Sequence, residues 1–194
     1  STMYGVMFLV GNGVLALGAM IPAGVLLAGR PPLAAVVTRD RLHDLGNLLL
    51  AHVMFWAYIA FSQYLIIWSG NLPEETPWYL HRTTGGWKAL ALLLIVFHFA
   101  VPFLLLLGRT VKRRGGLLLG VSVGLLVMRV ADLFWLVTPA FRPQGFTLHW
   151  LDVAAPVALG GLWVGAFCVN LKRRALLPLH DPRFEGLEKA AESH

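Results

Sequence analysis

Five stretches of this sequence are apolar for long enough to cross a lipid bilayer, and that limits the fold more than any other feature. About 20 residues at ~1.5 Å each span the hydrocarbon. The stretches lie near Thr2–Ala28, Leu45–Ser69, Gly86–Leu107, Leu117–Val137 and Leu151–Leu171. In lipid every backbone donor and acceptor must be satisfied within the segment, so each stretch is expected to be a helix. The fold class that follows is all-α and integral to the membrane. A bundle of five transmembrane helices would occupy residues 1–174, with a tail at 175–194. Composition agrees, because only 13% of the chain is charged, against about 25% in a soluble domain.

The net charge of +6 does not point to nucleic acid, because the basic residues cluster at the ends of apolar runs. Arg30, Arg39 and Arg41 follow the first run. Arg109, Lys112, Arg113 and Arg114 follow the third, and Lys172, Arg173 and Arg174 the fifth. The other two connections hold only Arg82, Lys88 and Arg142. Five spans put all three clusters on one side, which the positive-inside rule makes the cytoplasm. The expected topology has the N-terminus outside and the C-terminus cytoplasmic. The first run lacks a basic leader and is expected to be a span, not a signal peptide. The single cysteine, Cys168, sits in an apolar run, which leaves no disulfide framework or cysteine-held metal site.

Gly116, Gly120 and Gly124 recur every four residues in the fourth span, as do Gly161 and Gly165 in the fifth. Such spacing suggests closely approaching helix backbones. Pro22 favours a kink in the first span. Residues 180–183, His-Asp-Pro-Arg, read as a turn, and Leu187–Ser193 as a short helix or a frayed end.

Polar groups inside the spans are the candidates for function, because they are unfavourable in lipid unless sheltered by protein. The second span carries Asn47, His52, Tyr58, Ser62 and Gln63. His52 and Gln63, eleven residues apart, share one helix face. His52 and His98 lie at similar depths on sequential spans. Facing each other they could ligate a haem iron, relay protons, or simply bond neighbouring groups. Arg129 and Asp132 are neighbours on one face of the fourth span. An ion pair that fixes packing, or an Asp132 that takes up and releases protons, would both suit them. Asp152 opens the fifth span, where a carboxylate caps the helix or serves a proton exit. The loop Asn71–Thr84 brings Glu74 and Glu75 beside Trp78 and Tyr79. It suits an interfacial belt or a contact surface for a partner. The sequence has no phosphate-binding glycine loop, no CxxCH haem attachment and no nucleophile with its base.

The block LGNLLLAHVMFWAYIAFSQYLIIWSGNLPEETPWY, the His-containing third span and the late HDPR resemble the second large integral-membrane subunit (F subunit) of bacterial alternative complex III. That subunit belongs to the polysulfide-reductase-type membrane-anchor superfamily. The resemblance covers nearly the whole chain and fits the C-terminal half of such subunits. It implies a multi-pass subunit of the bacterial cytoplasmic membrane in a quinol:electron acceptor oxidoreductase. Its partners would be a homologous quinol-binding membrane subunit, an iron–sulfur subunit, a multihaem cytochrome c subunit and a terminal oxidase, with lipids around them and no nucleic acid. The c-type haems and iron–sulfur clusters would reside in those partners, quinol would be the substrate, and this chain would hold no redox cofactor. Its expected role is structural and proton-conducting, through His52, Gln63, His98, Arg129, Asp132 and Asp152. The competing expectation is a b-type cytochrome anchor with His52 and His98 on haem. A transporter would need an inverted repeat, which these residues do not display.

Overall fold

The computed structural model describes residues 3–30, 33–142 and 145–174. The tail, with the turn and short helix expected there, lies outside the described residues. Among the described residues seven helices form, and five of them have the length and apolarity of membrane spans: α1 (Tyr4–Leu27), α2 (Arg39–Gly70), α4 (Gly85–Leu107), α6 (ending at Val137) and α7 (Trp150–Lys172). Two short helices join them, α3 (Thr76–Thr83) and α5 (Arg109–Arg113); α6 itself runs Gly115–Val137. The protein is an all-helical, multi-span membrane protein, as its apolar runs require.

The described residues divide into two compact units. The first comprises the chain up to Ala23 together with Arg39–Thr147. Its core is cut from helix faces that step by three and four residues. On α2 the buried face is Leu42, Gly46, Leu49, Val53, Trp56, Ile59, Gln63 and Ile67. On α6 it is Leu118, Ser122, Leu125, Arg129, Asp132 and Leu136. Such steps keep one stripe turned to its neighbours at shallow crossing angles. On α1 the stripe includes Gly11 and Gly18 beside Met7, Val10, Val14, Leu17 and Ile21. Pro22 lies within the continuous helix α1.

Helix α4 departs from regular α geometry. Its residues Ile95–Ala100 form a π-turn, closed by the Val101 N–H bonding to the Val96 carbonyl. The buried positions Leu94, His98, Pro102 and Leu106 recur every four residues. In a regular helix each such step rotates about 40° around the axis, and the stripe would drift off the core. The wider turn absorbs part of that rotation. Pro102 supplies a cause, since a proline ring clashes with the carbonyl four residues earlier, here His98.

Two expected boundaries move. The second span begins at Arg39, not Leu45, so Asp40, His43 and Asp44 are helical. The expected loop Asn71–Thr84 contains α3, with Pro77 in its first turn, where proline's missing donor does no harm. Asn71 takes a positive φ of 45°, which asparagine tolerates better than most residues.

The regularly spaced glycines do not mark close approach among the described residues. A Cβ at Gly116, Gly120 or Gly124 would meet nothing within 4 Å among the described residues, and the same holds for Gly161 and Gly165. Close approach occurs at other glycines. A Cβ at Gly11 would lie 2.1 Å from the Arg129 guanidinium carbon, and one at Gly13 2.6 Å from His52 Cδ2. At Gly46 it would lie 2.6 Å from the Lys112 side chain.

Among the described residues the second unit comprises 24–30, 33–38 and 148–174. Its main element is α7, none of whose residues is buried. The helix opens with a capping box at His149.

Candidate functional site

The first unit is threaded by one set of buried polar side chains drawn from α2, α4 and α6. At its centre Arg129 Nη1 donates to Asp132 Oδ2 on α6, and both side chains are essentially inaccessible. One helix turn separates them, so the pair forms as the sequence spacing requires. Trp56 on α2 donates its indole N–H to the same carboxylate oxygen at 3.2 Å. The Trp56 ring packs on the His98 imidazole of α4, with centroids 4.3 Å apart. On the far side the Arg129 guanidinium lies over α1 at Gly11, with the Phe8 ring 5.9 Å away. The arrangement therefore runs His98, Trp56, Asp132, Arg129 and α1. Without the glycine at position 11 the guanidinium would collide with helix α1.

Several buried polar atoms in this region have no hydrogen-bond partner among the described residues. They are both ring nitrogens of His98, Nε and Nη2 of Arg129, Oε1 of Gln63 and Nε1 of Trp135. Buried polar atoms are nearly always paired, and internal water is their usual partner in a protein interior. Gln63 is buried two helix turns from Trp56 on the same face of α2.

The expected histidine pair is not assembled as a pair. His52 Nδ1 lies 2.9 Å from the Leu48 carbonyl, and Cδ2 and Nε2 of its ring face α1 at Gly13. His98 faces Trp56 instead. The two imidazoles thus contact different helices. Among the described residues no group of three or more His, Cys, Asp or Glu side chains could hold a metal ion.

Asp152 belongs to the second unit. Its Oδ2 accepts the backbone N–H of His149 at 2.7 Å, and the Leu151 N–H reaches His149 Nδ1 at 3.3 Å. That is the cap expected of an acid at a helix N-terminus.

The aromatic pair of the connection turns inward. Trp78 packs against Tyr79, Trp135 and Tyr4, and Tyr79 against Tyr64. Glu74 is exposed and Glu75 half-buried ahead of α3. Burial pushes the Tyr79 hydroxyl pKa up, only partly offset by Arg82, so the group stays neutral.

Two residues have structural roles that sequence reasoning missed. Arg82, which counted only as a stray charge in a connection, is buried in α3. It donates to the Leu136 carbonyl at 2.7 Å and to the Trp78 carbonyl at 2.9 Å, and its guanidinium carbon sits 3.7 Å from the Trp78 ring centroid. It thereby satisfies a carbonyl at the end of α6 that helical bonding leaves open. Burial pulls its pKa below the usual arginine value, with partial compensation from Tyr4 and Tyr79. Lys112, which counted as a topology charge, is buried against Gly46 and donates to Asn47 Oδ1 at 2.7 Å. Nearby, Arg113 pairs with Asp40 at 2.8 Å. The sequence signal for both was position: each lies beside a helix terminus and could meet open carbonyls or acids there.

No protein-family model matches this sequence, and comparison with curated proteins gives no match.

Proposed function

We propose that this chain is a membrane subunit of a respiratory quinol:electron acceptor oxidoreductase of the alternative complex III type, with a structural and proton-conducting role. The observation that carries the conducting part is the buried Arg129–Asp132 pair, joined through Trp56 to His98 within a span bundle. An ionisable group at membrane depth is unfavourable in lipid and is by default a functional-site hypothesis. Asp132 is the group that would accept and release the proton. Arg129 would hold the vacated charge, and Trp56 would orient the carboxylate. His98 and Gln63 offer further buried acceptors and donors on neighbouring helices, to which protons would pass over internal water. His52 lies on the α1 side of α2, and Asp152 would serve at a helix cap.

The remainder of the proposal rests on the sequence resemblance. The chain would sit in the bacterial cytoplasmic membrane with its basic clusters facing the cytoplasm. It would lie beside a homologous quinol-binding subunit. Iron–sulfur and multihaem cytochrome c subunits would carry the electrons onward, and Glu74 and Glu75 would be the acids that meet such a partner.

The test is an Asp132→Asn variant in the intact complex, assayed for quinol oxidation and for protons released per electron. Oxidation should persist while the proton ratio falls, and His98→Phe should act in the same direction. An unchanged ratio in both fully assembled variants would rule out conduction through this chain. A reduced-minus-oxidised visible spectrum of the isolated chain separates the b-type cytochrome alternative, which requires haem absorption.

A further inference from the structure

Two cavities in the first unit share a wall, and their linings differ in chemistry. The larger, of about 620 Å³, lies among α2, α3, α4 and α6. It exists because Ala57 and Ala60 on α2 and Ala91 on α4 are small. Trp56 and Asp132 also line it, and Asp132 is already neutralised by Arg129. At its rim stand Phe61 and Ile95, 61% and 56% exposed, so the cavity opens on the flank of the bundle at membrane depth. The second cavity, of about 500 Å³, lies beside α3 and the end of α2. Tyr64, Tyr79 and Thr83 belong to both linings. The second lining adds Asn71, Thr76 and Trp68, and it includes no Lys, Arg, Asp or Glu.

An apolar chamber open to the bilayer, adjoining across Tyr64, Tyr79 and Thr83 an uncharged chamber that carries more polar groups at the aromatic end of the spans, matches the two halves of an amphiphile. Tyrosine and tryptophan sit at headgroup level in membrane proteins, and apolar chambers with few polar groups are the usual form of ligand sites. We infer that the first unit holds one membrane lipid whose headgroup has no net charge. The head lies among Asn71, Thr76 and Thr83, and one acyl chain passes Ala57, Ala60 and Ala91. An anionic head finds no cation in that lining. The neutral hydroxyl of Tyr79, at the junction, supplies a donor where the two parts of the lipid meet. This inference stands independently of the respiratory role.

The experiment uses the full chain purified from its native membrane, with its accompanying subunits, in mild detergent and washed exhaustively. Mass spectrometry of the organic extract should find about one zwitterionic or uncharged lipid retained per chain. Ala60→Trp fills the chain chamber and should lower that retention roughly tenfold, the consequence of losing about 1.4 kcal/mol of binding. Leu104→Trp, on an exposed face outside both cavities, should leave it unchanged. Should Ala60→Trp fail to accumulate, a phospholipid with a photoreactive acyl chain, cross-linked to the unaltered protein, decides the matter. Adducts at the lining of the larger cavity support the site, and adducts confined to other surfaces overturn it. Retention of an anionic lipid or an isoprenoid ring compound would overturn the assignment. So would full retention in a well-assembled Ala60→Trp, or cross-links from the cavity to a helix of another subunit.

Discussion

Helices α6 and α7 are each 23 residues long, predominantly apolar, and marked by glycines at four-residue spacing. Hydropathy treats them alike, and the structure does not. Helix α6 buries Leu118, Ser122, Leu125, Arg129, Asp132 and Leu136, whereas α7 buries no residue. The difference lies in what each helix carries inside the hydrocarbon-length segment. α6 holds an arginine and an aspartate that cannot face lipid at tolerable free energy, so its polar face must be turned inward. α7 keeps its acid at the first turn, where backbone donors receive it. In a membrane protein the apolar run decides that a helix crosses, and the charged residue within it decides which face is central.

The sharpest way to break that contrast is to remove one charge from α6. Asp132→Ala leaves Arg129 buried without a counter-charge and strips Trp56 of its acceptor. The loss is expected to be roughly 3–5 kcal/mol, the range for breaking a buried ion pair by deleting one partner. Thermal denaturation and yield of the purified protein would register it. Removing both charges with Arg129→Met and Asp132→Leu together should restore most of the stability, because a well-packed apolar pair replaces the ionic one. A double variant as unstable as Asp132→Ala would mean that the pair is not what ties α6 to its neighbours.

A smaller effect separates the glycines. Gly11→Val would drive a side chain into the Arg129 guanidinium. Overpacking of that kind costs about 1–3 kcal/mol. A Cβ at Gly120 would meet nothing within 4 Å, so Gly120→Val should cost the isolated chain little. Melting temperatures of the two variants, measured side by side, give the order. If Gly120→Val is the more damaging in the purified chain, the spacing motif and not the contact governs.

Much of this was legible in the residues. The five spans follow from hydropathy and length, and the Arg129–Asp132 pair from a three-residue spacing combined with the high free energy of a lone charge in lipid. The cap at Asp152 follows from its position at a helix start. Other features depend on which helix faces which, and spacing within one segment does not encode that. Gly11 makes room for Arg129 across 118 positions of sequence, and Trp56 reaches Asp132 across 76. Nothing local announces either contact. The glycine stripe of α6 is open among the described residues, since small residues at four-residue intervals permit close approach without requiring it. The π-turn at His98 was hidden for another reason. Pro102 signals a disturbance in α4, but where the extra residue is absorbed depends on keeping His98 among buried neighbours. The two histidines of similar depth separate because one looks toward α1 and the other toward α2.

The smallest effect returns to α7. Asp152→Ala removes the carboxylate that receives the His149 N–H, a loss worth about 0.5–2 kcal/mol at a helix N-terminus. It leaves no charge stranded in the protein interior, since the site is a half-buried helix end. Asp152→Asn retains an acceptor oxygen and should recover most of the difference. Asp132→Asn, by contrast, still leaves Arg129 without a negative partner and should remain well below the unaltered protein. The ratio of rescue by asparagine at the two positions therefore measures what each carboxylate contributes: an acceptor at Asp152, a charge at Asp132. Equal rescue at both, in parallel thermal melts, would place the two acids in one class and remove the distinction between the helices.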